Sequence, residues 1–180
     1  AYASAKVALK NIEAYDDLSG KLNAKIELRE NKSKVKNVVL ILGESTNRNH
    51  MGVYGYYLPN TPNFQRMRDN QELQVFTDVI SPHSTTIAVL SKLFTFCNYE
   101  SDKEWYKYNN LIDIANAAGY KTFWLSNQES SGIWGNVAQI FAQHSTKHEF
   151  TRIRESREDY GIVDGELFPL IDRALLEPGE

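Results

Sequence analysis

The clearest hydrophobic pattern in the chain is the unbroken run Val38-Val39-Leu40-Ile41-Leu42, preceded by Asn37 and followed at once by Gly43-Glu44-Ser45-Thr46. An apolar run of this length ending in a glycine predicts a fully buried strand of a parallel sheet covered on both faces. Upstream, Val7, Ile12, Tyr15, Leu18, Leu22 and Ile26 recur at steps of three to five residues and predict a helix over residues 4–28, interrupted by Gly20. The polar stretch Glu30-Asn31-Lys32-Ser33-Lys34 reads as a solvated connector into the first strand. Residues 43–60 form a long loop with Gly52, Gly55 and Pro59 among three tyrosines, and long loops in compact domains are usually functional. Thr61-Pro62 marks a helix start, and the alternation Leu73-Gln74-Val75-Phe76-Thr77-Asp78-Val79 predicts a second strand.

Further along, Ser84-Thr85-Thr86 precedes Ile87-Ala88-Val89-Leu90, a capped helix running to about Phe94. Asn109-Asn110 introduce another helix over Leu111, Ile112, Ile114, Ala115 and Ala118, closed by Gly119. Tyr120-Lys121-Thr122-Phe123-Trp124-Leu125 predicts a strand that ends in the polar Ser126-Asn127-Gln128. Helices are expected at about 134–143 and 163–176, with a short strand near Glu149-Phe150 between them. Strand and helix alternate without an internal repeat, which is the pattern of an α/β/α sandwich with a mainly parallel sheet.

Charge and length narrow the function classes. A net charge of −3 and a pI near 5.9 provide no clustered cationic surface for nucleic acid. At 180 residues with 42% hydrophobic content, the chain can build one domain with a real core. No stretch approaches the roughly 18 apolar residues that span a bilayer, and the first residues lack the apolar centre of a signal peptide. Cys97 is the single cysteine, which excludes an internal disulfide and a cysteine-rich zinc site; it is expected as a buried thiol beside Phe94 and Phe96.

Ligands of parallel sheets bind outside the carboxyl ends of the strands, so Glu44, Ser84-Thr85-Thr86 and Ser126-Asn127-Gln128 are the groups to weigh. Glu44 offers an oxygen to a divalent ion, and the duller alternative is an ion pair with Arg48 or Lys36. A hydroxyl at a helix start lies where free backbone N–H groups and the helix dipole favour an alkoxide and an incoming phosphate; the duller alternative is a simple cap. Asn127 is either a substrate contact or a turn residue. His50 and His83 lie in the two loops of interest. His144 and His148 are spaced by four residues beyond a helix end and read as surface groups. Arg152, Arg154 and Arg157, alternating with Glu149, Glu155 and Glu158, read as a solvated ion-pair face.

The blocks Asn37 to Thr46, His50-Met51, Tyr54-Gly55-Tyr56 and Thr61-Pro62 resemble the opening of the catalytic domain of the phosphoethanolamine transferases, lipopolysaccharide-modifying members of the alkaline-phosphatase and sulfatase superfamily. The similarity continues through Phe76 to Val79, Ser84 to Ile87, Leu93 to Phe96 and Ala118 to Gln128, covering about residues 37–176. The texture is nearest to the group acting on core heptose sugars. The resemblance implies a sulfatase-like fold with Glu44 as a ligand of the catalytic zinc, manganese being the alternative on donor type. It implies Thr86 as the metal-bound nucleophile, with Thr85 as fallback, and Asn127 near the substrate phosphate. It also implies a phosphatidylethanolamine donor, a lipopolysaccharide acceptor, and a periplasmic domain held to the inner membrane by a preceding helical bundle. Residues 1–34 would then be connector and linker, and 35–180 the catalytic portion.

Two departures qualify the resemblance. The family's second metal block contains an Asp-His pair, and this sequence has no such dipeptide, so an N-terminal portion of a longer catalytic domain is expected, inactive alone. Pro82 and Lys92 stand where many relatives carry cysteines, and Asn47-Arg48 stands where relatives often show Arg first. A phosphoglycerol transferase or phosphodiesterase of the same superfamily, or a fragment that only binds ligand, are the alternative readings.

Overall fold

Six α-helices and two strands form among the residues that the computed structural model describes, 2–22, 24–130, 136–152 and 163–177. In chain order they are α1 (Tyr2–Gly20), α2 (Pro62–Asp69), α3 (Thr86–Leu93), α4 (Leu111–Ala117), β1 (Phe123–Glu129), α5 (Asn136–His144), β2 (Lys147–Arg152) and α6 (Phe168–Leu176). The chain divides into two compact units, residues 34–81 and the remainder, which are taken separately below.

In the larger unit, α5 is the hub. Phe141 on α5 is 0% exposed and packs with Leu90 of α3, Phe94 at that helix's C-terminal cap, Ile112 of α4, and the partly buried Ile87, Trp105, Trp124 and Ala138. The rings meet in tilted pairs, with Phe94 5.3 Å from Trp124 and 5.4 Å from Phe141. That spacing adds favourable quadrupole contact to the area buried. Ile140, the neighbouring residue on α5, packs with Ala14 and Leu18 of α1 and with Tyr106. One helix therefore holds two clusters, because adjacent residues on it point to different sides.

α1 ends at Gly20, eight residues short of the predicted end. Glycine costs about 1 kcal/mol in a helix relative to alanine, and Leu22 and Ile26 beyond it do not carry the helix on. The buried stripe is Ala14 and Leu18, one turn apart, whereas Ile12 and Tyr15 of the predicted stripe are exposed. Steps of three to five residues had spread the expected stripe over more than one face. Polar contacts complete the docking. Lys21 Nζ donates to the Tyr106 carbonyl at 2.5 Å, Lys10 pairs with Glu104 at 2.6 Å, and Asp17 binds both Lys21 and Lys107. The connector is tied down too, since Asn31 Nδ2 donates to the Ala118 carbonyl and Ser33 shares a hydrogen bond with the Tyr120 hydroxyl.

α3, α4 and the parallel pairing follow the sequence pattern. Asn110 caps α4 by accepting from the Asp113 N–H at 2.8 Å, and Gly119 takes the left-handed conformation (φ +87°) that ends the helical stretch. β1 and β2 pair in parallel through a crossover containing α5, from Phe123 opposite Lys147 to Ser126 opposite Phe150, with an irregularity before Glu129. β1 is displaced from its predicted position. Ser126, Asn127 and Gln128 lie inside the strand rather than beyond it, because β2 continues to supply ladder partners as far as Arg152. The predicted start of α5 near Trp134 lies outside the described residues, as do Arg154, Glu155, Arg157 and Glu158. Glu149 does form an ion pair, with Arg173 of α6 at 2.6 Å. Cys97 is half-buried rather than buried, at the edge of the core where Phe94 is buried and Phe96 is exposed.

The smaller unit is built on side-chain bonds to its own loop. Two 3-10 turns, Arg48–His50 and Gly52–Tyr54, precede α2. Asn60 accepts from the Gly52 N–H at 2.8 Å and donates to the His50 carbonyl at 2.7 Å. Pro62 opens α2 as predicted, but the Thr61 hydroxyl accepts from the Val53 N–H at 2.8 Å instead of capping the helix. Gly52 is needed for close approach, since a Cβ there would lie 3.0 Å from the Leu58 carbonyl oxygen.

Neither predicted strand of this unit forms. Residues 37–42 pair with no described strand, and Val39 and Ile41 are 77% and 89% exposed. A central-strand pattern becomes a strand only where neighbouring strands supply the ladder. The second case has a local cause. Arg48 Nη1 donates to the carbonyls of both Thr77 and Val79 at 2.8 Å, so the two oxygens lie within twice that distance. The two-residue repeat of a strand is roughly 6.7 Å, so the chain must bend, and it does at Thr77–Asp78.

Phe141→Ala should destabilise the larger unit by about 3–5 kcal/mol in chemical denaturation, since a fully buried ring leaves a cavity its neighbours fill only in part. Asp17 supplies a pH test. Burial opposes its charge, but hydrogen bonds from Lys107 and Lys21 outweigh that and hold its carboxyl below the ordinary value. A depressed carboxyl stabilises above its unfolded value and loses that contribution as pH falls through the folded one. Asp17→Asn should therefore cost about 1 kcal/mol at neutral pH, with the difference from wild type closing in acid.

Candidate active site

Glu44 stands in a tight turn of the smaller unit. Gly43 precedes it because a Cβ there would lie 2.8 Å from Thr46 Oγ1, which folds back to donate to the Glu44 carbonyl at 3.3 Å. Ser45 follows in the left-handed region (φ +54°), a conformation that costs a serine energy, and its hydroxyl donates to Glu44 Oε1 at 3.0 Å. A strained residue therefore fixes the carboxylate by a direct hydrogen bond. Arg48, weighed in the sequence as an ion-pair partner, gives Nη1 to the Thr77 and Val79 carbonyls.

Thr86 is the first residue of α3, in the larger unit. Thr85 occupies the cap position with extended backbone (φ −122°, ψ 143°), and its carbonyl accepts from the Val89 N–H at 3.0 Å. The Thr85 hydroxyl does not cap the helix. It meets His83 Nδ1 at 3.3 Å. The capping reading thus accounts for the position of Thr85 but not for the use of its hydroxyl. At the helix start the backbone N–H groups of the first turn have no intrahelical acceptor, which is the setting that favours an oxyanion.

Asn127 lies in β1 and is only 7% exposed. Its Oδ1 accepts from Thr151 Oγ1 at 2.6 Å, and its Nδ2 donates at 3.3 Å to the Val163 carbonyl and to Asp164 Oδ1. It is neither a turn residue nor an exposed contact. Its amide joins β1, β2 and the 3-10 turn Asp164–Leu167 at the carboxyl end of the parallel pair. Thr151 and Asp164 were not singled out in the sequence; the only available signal was an asparagine two residues past an apolar strand core, because its facing of Thr151 depends on the strand register. His148 is exposed as expected, whereas His144 is buried.

Thr86 and Asn127 belong to the larger unit and Glu44 to the smaller. Their chemistry suits a divalent cation in part. Glu44 and Thr86 are both oxygen donors, while a tetrahedral zinc site takes four ligands. Among the described residues no group of three or more His, Cys, Asp or Glu side chains could hold a metal ion. No described helix is long and apolar enough to cross a membrane.

Comparison with known proteins shows which family the chain belongs to. Residues 36–179 match the Sulfatase family. Phosphoethanolamine transferase EptC of Escherichia coli K12 is 29% identical over 133 residues, covering 72% of this chain and 23% of that protein. Phosphoethanolamine transferase CptA of Salmonella typhimurium is 31% identical over 128 residues, covering 68% and 22%. The crystal structure of the C-terminal periplasmic domain of E. coli EptC, in complex with Zn, superposes with a TM-score of 0.69 at 26% identity, covering 77% of this chain and 39% of that one. The chain thus spans under a quarter of the length of these curated relatives. The parallel β-pairing with its helical crossover, the turn around Glu44 and the helix start at Thr86 all fall within the matched residues, and the chain belongs to the sulfatase family.

Proposed function

We propose that this chain is the N-terminal portion of the catalytic domain of a phosphoethanolamine transferase, with Thr86 as its nucleophile. The observation that carries the reading is Thr86 at the first position of α3, after an extended cap residue, within a region similar to EptC and CptA. The donor is phosphatidylethanolamine and the acceptor a lipopolysaccharide core sugar or lipid A phosphate. The working location is the periplasmic face of the inner membrane, in keeping with the periplasmic domain that the fold resembles.

Thr86 Oγ attacks the donor phosphorus, the bond from phosphorus to the diacylglycerol oxygen breaks, and the hydroxyl proton leaves with that oxygen. Phosphoethanolamine is then esterified to Thr86 until an acceptor oxygen displaces it and Thr86 recovers a proton. The N-terminal amides of α3 face the charge that develops on the phosphoryl oxygens. Glu44 and Thr86 would supply two of the four positions around zinc, the remaining ligands coming from outside the described residues. Bound there, the ion would lower the hydroxyl's pKa and offset phosphate charge. Ser45 holds the Glu44 carboxylate in one orientation through its 3.0 Å hydrogen bond. Asn127 acts on the substrate phosphate side, its amide fixed by Thr151 and Asp164 so that the strand end keeps its shape.

The test is intact-mass analysis after incubation with zinc and phosphatidylethanolamine vesicles. A polypeptide carrying this chain together with the rest of such a domain should gain one phosphoethanolaminyl group, and the 180-residue chain alone should gain none. Thr86→Ala should abolish the adduct, whereas Thr85→Ala should retain it. An adduct that survives Thr86→Ala and is lost in Thr85→Ala would move the nucleophile by one residue; an adduct on the isolated chain would refute its incompleteness.

A further inference from the structure

A threonine caps the helix it precedes when its hydroxyl oxygen turns back to accept from the second or third N–H of that helix. Thr85 has the extended backbone of a cap, and its carbonyl accepts from the Val89 N–H at 3.0 Å, yet its hydroxyl makes no cap bond to α3. Its Oγ1 lies instead 3.3 Å from Nδ1 of His83, two residues earlier in the same loop. His83 and Thr85 are both exposed, so the direction of the threonine hydroxyl is set by the hydrogen bond it makes rather than by packing. A threonine side chain takes one staggered χ1 at a time, and the rotamer that meets the imidazole leaves the Ile87 and Ala88 amides uncapped. Those are the second and third N–H groups of α3, which have no intrahelical acceptor. A cap oxygen and a phosphoryl oxygen are both acceptors, so they compete for the same two hydrogens.

We propose that His83 is a positioning residue: by engaging the Thr85 hydroxyl, it keeps the first-turn amides of α3 open to the phosphate that Thr86 attacks. The inference rests on Thr86 as the nucleophile and adds the group that prepares the helix start for it. His83 acts through Thr85 and not on the phosphate. Without the imidazole, the Thr85 hydroxyl is left to the helix, and a threonine cap biases the helix start about fivefold toward the closed arrangement. A ligand that needs the open arrangement loses affinity by about the same factor.

Solvent-exchange NMR of the 180-residue chain tests the first half of the proposal without any substrate. His83→Ala should slow exchange of the Ile87 or Ala88 amide about fivefold, and the double variant His83→Ala/Thr85→Ala should return it to the wild-type rate. Unchanged exchange at both amides in His83→Ala, or equal slowing in the double variant, would overturn the proposal. So would a wild-type χ1 at Thr85, read from its scalar couplings, that turns Oγ1 onto the α3 amides.

The second half is read in the polypeptide that joins this chain to the rest of such a domain, with zinc and phosphatidylethanolamine vesicles. The rate at which Thr86 gains its phosphoethanolaminyl group should fall about fivefold in His83→Ala and recover in His83→Ala/Thr85→Ala. A merely structural role for His83 would not be rescued by deleting a second side chain's hydroxyl. An equal rate in His83→Ala would overturn the inference and leave Thr86 as the nucleophile. No adduct in the unaltered polypeptide would instead refute that reading, and with it the role given to His83.

Discussion

The larger unit depends on keeping one ring out of water. Phe141 brings α3, α4 and the 3-10 turn Trp105–Lys107 together on α5 in a single cluster. The same helix is the crossover that lets β1 and β2 run parallel, since parallel strands cannot be joined by a tight turn. Its next residue, Ile140, faces α1. Burial of one apolar helix therefore sets the strand pairing, the place of the α3 start with Thr86, and the seat of the N-terminal helix.

What was legible in the sequence was mostly local. Asn110 and Gly119 bracket α4, Pro62 opens α2, and the run after Thr85 makes α3, because caps and breakers act through the nearest hydrogen bonds. The parallel α/β class followed from alternation and is confirmed by the β1–β2 register. What was not legible required a partner distant in sequence. His144 passes for a surface residue until Asp113 and Leu18 are placed around it, and Asn127 passes for a turn residue until Thr151 is known to face it. The apolar run 37–42 carries the pattern of a central strand, but pattern alone cannot provide the ladder on its two sides.

Of the candidate site, the sequence identified the residue types and the local turns. Glu44 is held by a strained serine and Thr86 begins a helix, both features of backbone geometry that short motifs encode. Their supports were less visible. The use of the Thr85 hydroxyl by His83, and the closure of Asn127 against Asp164, depend on side-chain directions that spacing does not specify.

Arg48 shows how a single side chain decides between two outcomes of one pattern. The alternation of residues 73–79 is that of a strand, and exposed alternating segments readily template pairing with another chain. By gathering two carbonyls onto one nitrogen, the guanidinium occupies the acceptors of one edge and removes the straightness the other edge would need. The arginine thus trades the extended form of its own neighbouring segment for a bend, using two backbone acceptors that a sheet ladder would otherwise draw on.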